Sequence, residues 1–233
     1  MIGSKILKFE VIESTNNFLK INQSSLEHGT IVQANIQTQG RGRNNHTWMS
    51  EKGNLYFSVL LKEEINRSLI FDNLVKTSVA IIRLLREFDI DGRIKYPNDI
   101  LVEDKKICGI LTESYGSLDI QYLVIGVGIN INQLDFKDLS NKATSFKIEK
   151  NKEYSIEEVL GKFIKHYNKL ESENYELIFK EYITSSMVVG KKILFDSKEF
   201  LIKGIHKNGN LILEHENIIE YRTPNEISLT QLY

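Results

Sequence analysis

Between Arg93 and Ile131 the chain repeats one arrangement, in which short runs of aliphatic and β-branched residues alternate with charged or glycine-containing turns. Arg93 to Tyr96, Ile100 to Glu103, Lys106 to Glu113 and Asp119 to Ile131 read as strands on this pattern. Connections this short cannot carry a helical crossover, so most of the sheet is expected to be antiparallel.

Upstream, Lys5 to Glu13 and Thr30 to Ile36 are β-rich, and between them Ser14-Thr15 can cap a short helix carrying Phe18, Leu19 and Ile21. Gln37 to Thr47 contains no hydrophobic residue and is a polar loop without a core anchor. It leads through Gly53-Asn54 into a strand over Leu55 to Leu61, with Leu55, Phe57, Val59 and Leu61 on one face. Phe71, Leu74, Val75, Val79, Ile82 and Leu85 recur at helical steps, which predicts a core-facing helix over Leu69 to Phe88. Ser155 and Glu158 form a capping box ahead of the stripe Val159, Leu160, Phe163, Ile164, Tyr167 and Leu170. A further helix is expected over Tyr175 to Thr184. From Met187 the pattern becomes strands around the turn Asn208-Gly209, namely Ile193 to Phe195, Phe200 to Ile205 and Leu211 to Leu213. A β-barrel this small buries only a marginal core alone and is expected to pack on the larger part. The chain thus divides into residues 1–186 and a small C-terminal β domain, 187–233, and its fold class is α+β.

Composition limits the partners. Hydrophobic residues make up 41% and charged residues 26% of the 233, with two prolines, which marks a globular rather than a disordered chain. Lysine plus arginine (30) against aspartate plus glutamate (31) leaves a formal charge of -1, so no global basic field exists to hold DNA or an anionic membrane. Anion binding has to come from a local cluster. The single cysteine, Cys108, excludes an intrachain disulfide and any site built from several cysteines, which fits a reducing, cytoplasmic setting. Met1 to Glu13 does not read as a signal peptide. The longest nearly apolar stretch, Tyr122 to Ile131, is about half the roughly 20 residues that a spanning helix needs.

Three segments could carry chemistry. In Gln39-Gly40-Arg41-Gly42-Arg43, two glycines permit unusual backbone angles and two arginines offer forked donors to carboxylate or phosphate oxygens. Taken alone, the same pentapeptide describes a solvated hairpin loop. Trp48, the only tryptophan, stands where this loop meets the next strand, either to stack on a purine or to cover the sheet edge. Lys95-Tyr96-Pro97-Asn98-Asp99 and Lys105-Lys106 set a carboxylate, an amide and several ammonium groups around two strand ends, although such turns are also ordinary loop chemistry. Gly126-Val127-Gly128-Ile129-Asn130 lacks dinucleotide-fingerprint spacing, and no Gly-x-x-x-x-Gly-Lys phosphate loop occurs.

Taken together, Ser14-Thr15-Asn16, Gln37 with Gly40 to Arg43 and Trp48, Gly53-Asn54-Leu55, Lys95 to Leu101, Lys106 with Gly109 to Leu111, Gly126 to Asn130 and Ala143-Thr144-Ser145 resemble the biotin protein ligase family in order and spacing. The resemblance covers roughly residues 5 to 150. It implies a mostly antiparallel sheet with flanking helices, of the kind shared with class II aminoacyl-tRNA synthetases, and a C-terminal barrel of the Src-homology-3 kind. The implied activity joins biotin to one lysine of a biotin carboxyl carrier domain, at the expense of ATP and with Mg2+. A carboxylate does not acylate an amine directly because the oxygen to be expelled is a poor leaving group, so a biotinyl-adenylate forms first and pyrophosphate leaves.

By the same resemblance Ser14, Thr15, Asn16, Gln37 and Gly109 belong to the biotin pocket, and Arg41, Gly42 and Arg43 to a loop that closes over biotin and the adenylate. Such a loop shields the anhydride from water. Lys106, rather than Lys105, matches the lysine that contacts the carboxyl and phosphoryl oxygens and stabilises developing negative charge. Trp48, Asn98 and Asn130 match nucleotide-binding positions. Asp99 matches an aspartate that orients or deprotonates the incoming lysine, or assists magnesium. No residues are assigned as direct ligands of a metal.

Two departures matter. Where the family often has a further glycine and arginine in the closing loop, this chain has Asn45 and His46, after Asn44 in place of another basic residue. The expectation is that the adenylate is held less tightly than in relatives with three arginines, and that His46→Arg slows its release. Only 13 residues precede Ser14, so the winged-helix DNA-binding domain of repressor-type members is expected to be missing, and the chain is expected to be monofunctional. Relatives often self-associate through the sheet, which leaves a homodimer open. The rivals are a lipoate or octanoate ligase of the same fold and a non-catalytic nucleic-acid-binding module, against which the balanced charge stands.

Overall fold

The computed structural model describes residues 1–43, 46–62, 67–116, 120–224 and 226–227. Its frame is a sheet of order β1-β2-β3-β7-β6-β5-β4, made of β1 (Ile6–Ile12), β2 (Ile31–Gln37), β3 (Leu55–Leu61), β4 (Gly92–Lys95), β5 (Asp99–Val102), β6 (Lys105–Tyr115) and β7 (Tyr122–Ile129). Every pairing is antiparallel except β1 with β2. That exception follows from the connection, since helix α1 (Thr15–Asn22) lies between the two strands and returns the chain in the same direction. Ser14 caps α1 by accepting from the Asn17 N–H.

The two faces of the sheet have different covers. Leu55, Phe57, Val59 and Leu61 of β3 join Ile125, Val127 and Ile129 of β7 and Cys108 and Ile110 of β6 in the main core. Helix α2 (Arg67–Glu87) contributes Val75, Val79, Ile82 and Leu85 to that core, and α4 (Ile156–Leu170) contributes Val159, Leu160, Phe163 and Tyr167. Phe163 meets Phe57 with ring centroids 4.9 Å apart, and full burial of such a side chain stabilises the fold by about 1.5–3 kcal/mol. The cap of α4 is as expected, with Ser155 accepting from the Glu158 N–H. On the opposite face, α1 packs Leu19 over Val32, Leu60 and Val124. It covers only part of that face and leaves the glycines of β6 and β7 to line a cavity.

Short helix α3 (Phe146–Lys150), not expected from sequence, follows Ser145, whose hydroxyl accepts from the Ile148 N–H. Helix α5 (Tyr175–Ser185) leads to a second sheet of four antiparallel strands, β8 (Lys192–Phe195), β9 (Lys198–Ile205), β10 (Leu211–His215) and β11 (Ile218–Arg222). The sequence pattern missed β11. Its hairpin turns at Glu216-Asn217, where both residues have positive φ, and Asp196-Ser197 does the same between β8 and β9. Ile193, Phe200, Ile202, Leu211 and Leu213 of the second sheet belong to the same core as the first. The turn Asn208-Gly209 reaches the first sheet, where the Tyr96 hydroxyl donates to the Gly209 carbonyl. The expected strand over Asp119 to Ile131 is described from Tyr122, Asp119 itself lying outside the described residues, as do 228–233 of the C-terminal unit. Among the described residues no helix is long and apolar enough to cross a membrane.

Candidate active site

The cavity has a volume of about 620 Å³, inside the range of about 300–1,000 Å³ usual for small-molecule sites. Its floor is the glycine surface of the sheet. Gly128 of β7 pairs with Gly109 of β6, and Gly126 pairs with Leu111. The Trp48 indole lies on this floor so closely that a Cβ at Gly128 would stand 2.5 Å from its Cε2, and one at Gly109 would stand 2.7 Å from its Cζ3. Glycine is therefore a packing requirement at both positions. Among the described residues the buried indole N–H has no hydrogen-bond partner.

One end of the cavity is neutral and hydrogen-bonding. The N–H and O–H of Thr15 both donate to Gln37 Oε1, at 2.9 and 3.1 Å. The Gln37 amide donates to the Ser50 hydroxyl at 2.9 Å, which donates to the Trp48 carbonyl at 3.1 Å. Ser58, a polar residue inside the apolar strand β3, turns its hydroxyl to Thr15 Oγ1 (2.6 Å) and Asn16 Oδ1 (2.5 Å). The Asn16 amide in turn donates to Glu113 Oε2 at 2.7 Å. The predicted pocket residues Thr15, Asn16 and Gln37 are thus held together by Ser50, Ser58 and Glu113, which sequence reasoning missed, while Ser14 caps α1 beside them. A serine at a fully buried strand position was the available signal for Ser58.

Cationic side chains line the same cavity. Arg41, Gly42 and Arg43 line the cavity with His46 and Thr47. Their loop is anchored by the backbone, with the Gly42 N–H donating to the His46 carbonyl (2.7 Å) and the Trp48 N–H to the Gly40 carbonyl (2.9 Å). Asn44 and Asn45 lie outside the described residues. Arg43 Nη1 donates to Asn98 Oδ1 at 3.0 Å, and the Asn98 amide donates to the Ile110 carbonyl at 2.7 Å. Lys106 pairs with Asp99 at 2.8 Å and stands 5.0 Å from the centre of the Trp48 ring. A bulge brings it there. Ile100 pairs with Cys108 but Leu101 pairs with Lys106, so Ile107 is skipped and Lys106 folds over Gly109, its Nζ 3.2 Å from where a Cβ there would stand. Cys108 points into the core, and burial pushes its thiol well above the usual range, which leaves it protonated and unreactive.

Twelve of the sequence-named residues line this one cavity: Ser14, Thr15, Asn16, Gln37, Arg41, Gly42, Arg43, Trp48, Asn98, Asp99, Lys106 and Gly109. Asn130 does not. Its amide donates to the carbonyls of Lys106 (3.2 Å) and Thr144 (2.9 Å), so it braces the backbone behind the lysine. Lys105 is exposed and also outside the lining. Pro224 and Ile227, from the segment after β11, complete the wall. The site joins neutral donors and acceptors to the four cationic side chains Arg41, Arg43, Lys95 and Lys106 in one cavity, a set suited to a polar ring compound with an anionic tail.

The model of the biotin/lipoate A/B protein ligase family matches residues 8–130. The bifunctional ligase/repressor BirA of Bacillus subtilis is 36% identical over 152 residues, covering 62% of this chain and 47% of that protein, so the chain spans about half the length of this relative. BirA of Escherichia coli is 27% identical over 250 residues, covering 97% of this chain and 74% of that protein. Among solved structures, the biotin protein ligase from Aquifex aeolicus in complex with biotin and ATP has a TM-score of 0.76 at 26% identity, covering 97% of this chain and 98% of that one.

Proposed function

The chain belongs to the biotin/lipoate A/B protein ligase family, and from that premise we propose that it is an ATP-dependent biotin protein ligase. A biotin carboxylate oxygen attacks the α-phosphorus of ATP, the bond to the β-phosphate bridging oxygen breaks, and pyrophosphate leaves. The neutral amine of an acceptor lysine then attacks the acyl carbon, AMP departs with the bridging oxygen, and the amine loses a proton. The acceptor in this reading is a biotin carboxyl carrier domain in the cytoplasm. The observation that carries the proposal is that one cavity is lined by both kinds of group, the hydroxyls and amides of Ser14, Thr15, Asn16 and Gln37 and the cations Arg41, Arg43, Lys95 and Lys106.

In this reading Thr15, Asn16 and Gln37 hold the ureido ring, and the buried partners of these groups penalise a ligand that leaves them unpaired. Arg41, Arg43 and Lys106 neutralise the carboxylate and the phosphoryl oxygens as charge develops. Trp48 offers its indole to the adenine. Asp99 orients Lys106 through their ion pair, and on release of that pair it is placed to take the proton of the incoming lysine. At a free-solution pKa of about 10.4, only a few in ten thousand such lysines are neutral at pH 7. Magnesium enters with ATP. Asp99 is the only carboxylate among the lining residues, and one carboxylate with substrate phosphates is coordination that Mg2+ commonly takes.

The division into a catalytic unit, residues 1–186, and a C-terminal barrel of the Src-homology-3 kind, 187–233, is part of the same proposal. It is supported by the four-stranded meander after α5. Self-association through the sheet also belongs to it, supported by β1, an edge of the first sheet. The test is pyrophosphate exchange from MgATP with biotin or lipoate as the only carboxylate, in the wild type and in Lys106→Ala. Exchange with biotin alone, lost in the variant, is expected. Exchange with lipoate instead would overturn the substrate, and exchange with neither would overturn the reaction.

A further inference from the structure

Glu113 is a carboxylate on the site face of β6 that does not itself line the cavity. It sits behind Asn16 and spends its two oxygens on two different elements. Oε2 accepts from the Asn16 amide at 2.7 Å, and Oε1 faces Arg41 Nη2 at 3.6 Å. Asn16 is held on its other side too, because its Oδ1 accepts from the Ser58 hydroxyl and occupies the space that a Cβ on Gly126 would need. One acidic group therefore holds an amide of the cavity and, beside it, a guanidinium of the arginine loop. Elsewhere in the site, charge is cationic apart from Asp99, which Lys106 already holds.

We infer that Glu113 is a positioning residue that couples recognition of the ring to placement of Arg41, and so to retention of the acyl-adenylate. This rests on the ligase reading. Its physical content is that a ring seated against Asn16 fixes Asn16, Asn16 fixes Glu113, and Glu113 presets Arg41 for the anionic part of the same ligand. A ligand with the anion but without the ring gains less from Arg41.

The experiment uses the full chain and four variants: Glu113→Gln, Glu113→Ala, Arg41→Ala and the double variant Glu113→Gln with Arg41→Ala. Glutamine keeps an oxygen for the Asn16 amide and removes the charge facing Arg41, whereas alanine removes both. Pyrophosphate exchange gives KM for biotin and for ATP separately, and a chase with unlabelled biotin gives the dissociation rate of the adenylate. Glu113→Gln is expected to raise that rate roughly 2- to 5-fold, the size of a partly exposed ion pair, and to do so no further once Arg41 is alanine. Glu113→Ala is expected to raise the biotin KM beyond Glu113→Gln while the ATP KM stays put. Equal effects of Glu113→Gln in both backgrounds, or losses in both KM values that follow the melting temperature, would overturn the inference. A cycle of melting temperatures over the same variants reads the Glu113 to Arg41 contact without ligand. A wild type with no biotin-dependent exchange sinks the ligase reading, whatever that cycle gives, and a null melting cycle with intact exchange sinks Glu113 alone.

Discussion

Gly126→Ala tests whether the pocket depends on backbone approach as closely as the structure requires. Gly126 pairs with Ser58 of β3 and Leu111 of β6, and a Cβ added to it would stand 2.2 Å from Asn16 Oδ1 and 2.9 Å from Asn16 Cγ. Ordinary contact needs about 3.5 Å, so the amide must retreat by roughly 1.3 Å. Two responses bound the cost. If α1 shifts as a body and Asn16 keeps its partners, the penalty is that of overpacking, about 1–3 kcal/mol. If Asn16 swings away, it gives up the 2.7 Å bond to the Glu113 carboxylate, and a hydrogen bond to a charged group is worth about 1.5–3 kcal/mol. At about 2–4 °C per kcal/mol for a chain of this size, the melting temperature falls by roughly 2–12 °C. Because Asn16 faces the cavity, the biotin KM in pyrophosphate exchange is expected to rise about 10- to 100-fold, at 1.4 kcal/mol per factor of ten. The ATP KM is expected to hold, since Trp48 and its glycine seat at positions 109 and 128 are untouched. Gly161→Ala is the control. That glycine lies on the exposed side of α4 with nothing within 4 Å of an added Cβ, so alanine there is expected to stabilise by about 0.5–1 kcal/mol. A Gly126→Ala protein with the wild-type biotin KM and an undiminished melting temperature would refute the reasoning.

Three more outcomes follow from the structure. Arg83 of α2 grips Glu173 through two bonds of 2.8 Å and Glu181 through bonds of 3.0 and 2.8 Å; with all three groups partly exposed, Arg83→Gln is expected to cost about 1–2 kcal/mol by calorimetry. The Arg83 hydrogen bond holds the Glu173 carboxyl below its ordinary value near 4.5, so this stabilisation is complete above that pH and is lost as pH falls through the lower folded value. The melting-temperature gap between wild type and variant should narrow only in that acid window, and a gap that narrows toward alkaline pH instead contradicts the assignment. Cys108 is fully buried with its thiol pushed up by burial, so a disulfide reagent at pH 8 should modify the unfolded chain and spare the native one; rapid native modification would show the core to be open there. Tyr96→Phe removes the hydroxyl that meets the Gly209 carbonyl and should cost about 1–3 kcal/mol by leaving a buried acceptor unpaired, whereas an unchanged melting temperature would mean that the second sheet does not depend on this link.

The long helices were legible because burial on one face imposes period 3.6 on the sequence, which α2 and α4 obey, and β3, buried at all seven positions, because it is a short and nearly continuous apolar run. Periodicity carries no register, and at the site register decides. By alternation Lys106 and Cys108 share a face, yet the bulge at Ile107 sends Cys108 into the core and Lys106 over the cavity. The resemblance supplied Lys106, and only the pairing explains how it gets there. Nor could local pattern supply partners distant in sequence, such as Glu113 for Asn16 or Ser58 for Thr15, because hydrogen bonds across the sheet depend on the strand order that places β7 between β3 and β6. The missed strand β11 has a similar cause, since its turn uses left-handed Glu216 and Asn217 without a glycine to announce it. What these positions share is a local rule broken: a serine within an apolar strand, glycines in place of packed side chains, an extra residue in a ladder. Each break weakens the element that contains it, and the losses are recovered by the contacts that build the pocket. In this chain the irregular positions of otherwise regular strands are therefore where the sequence carries its function.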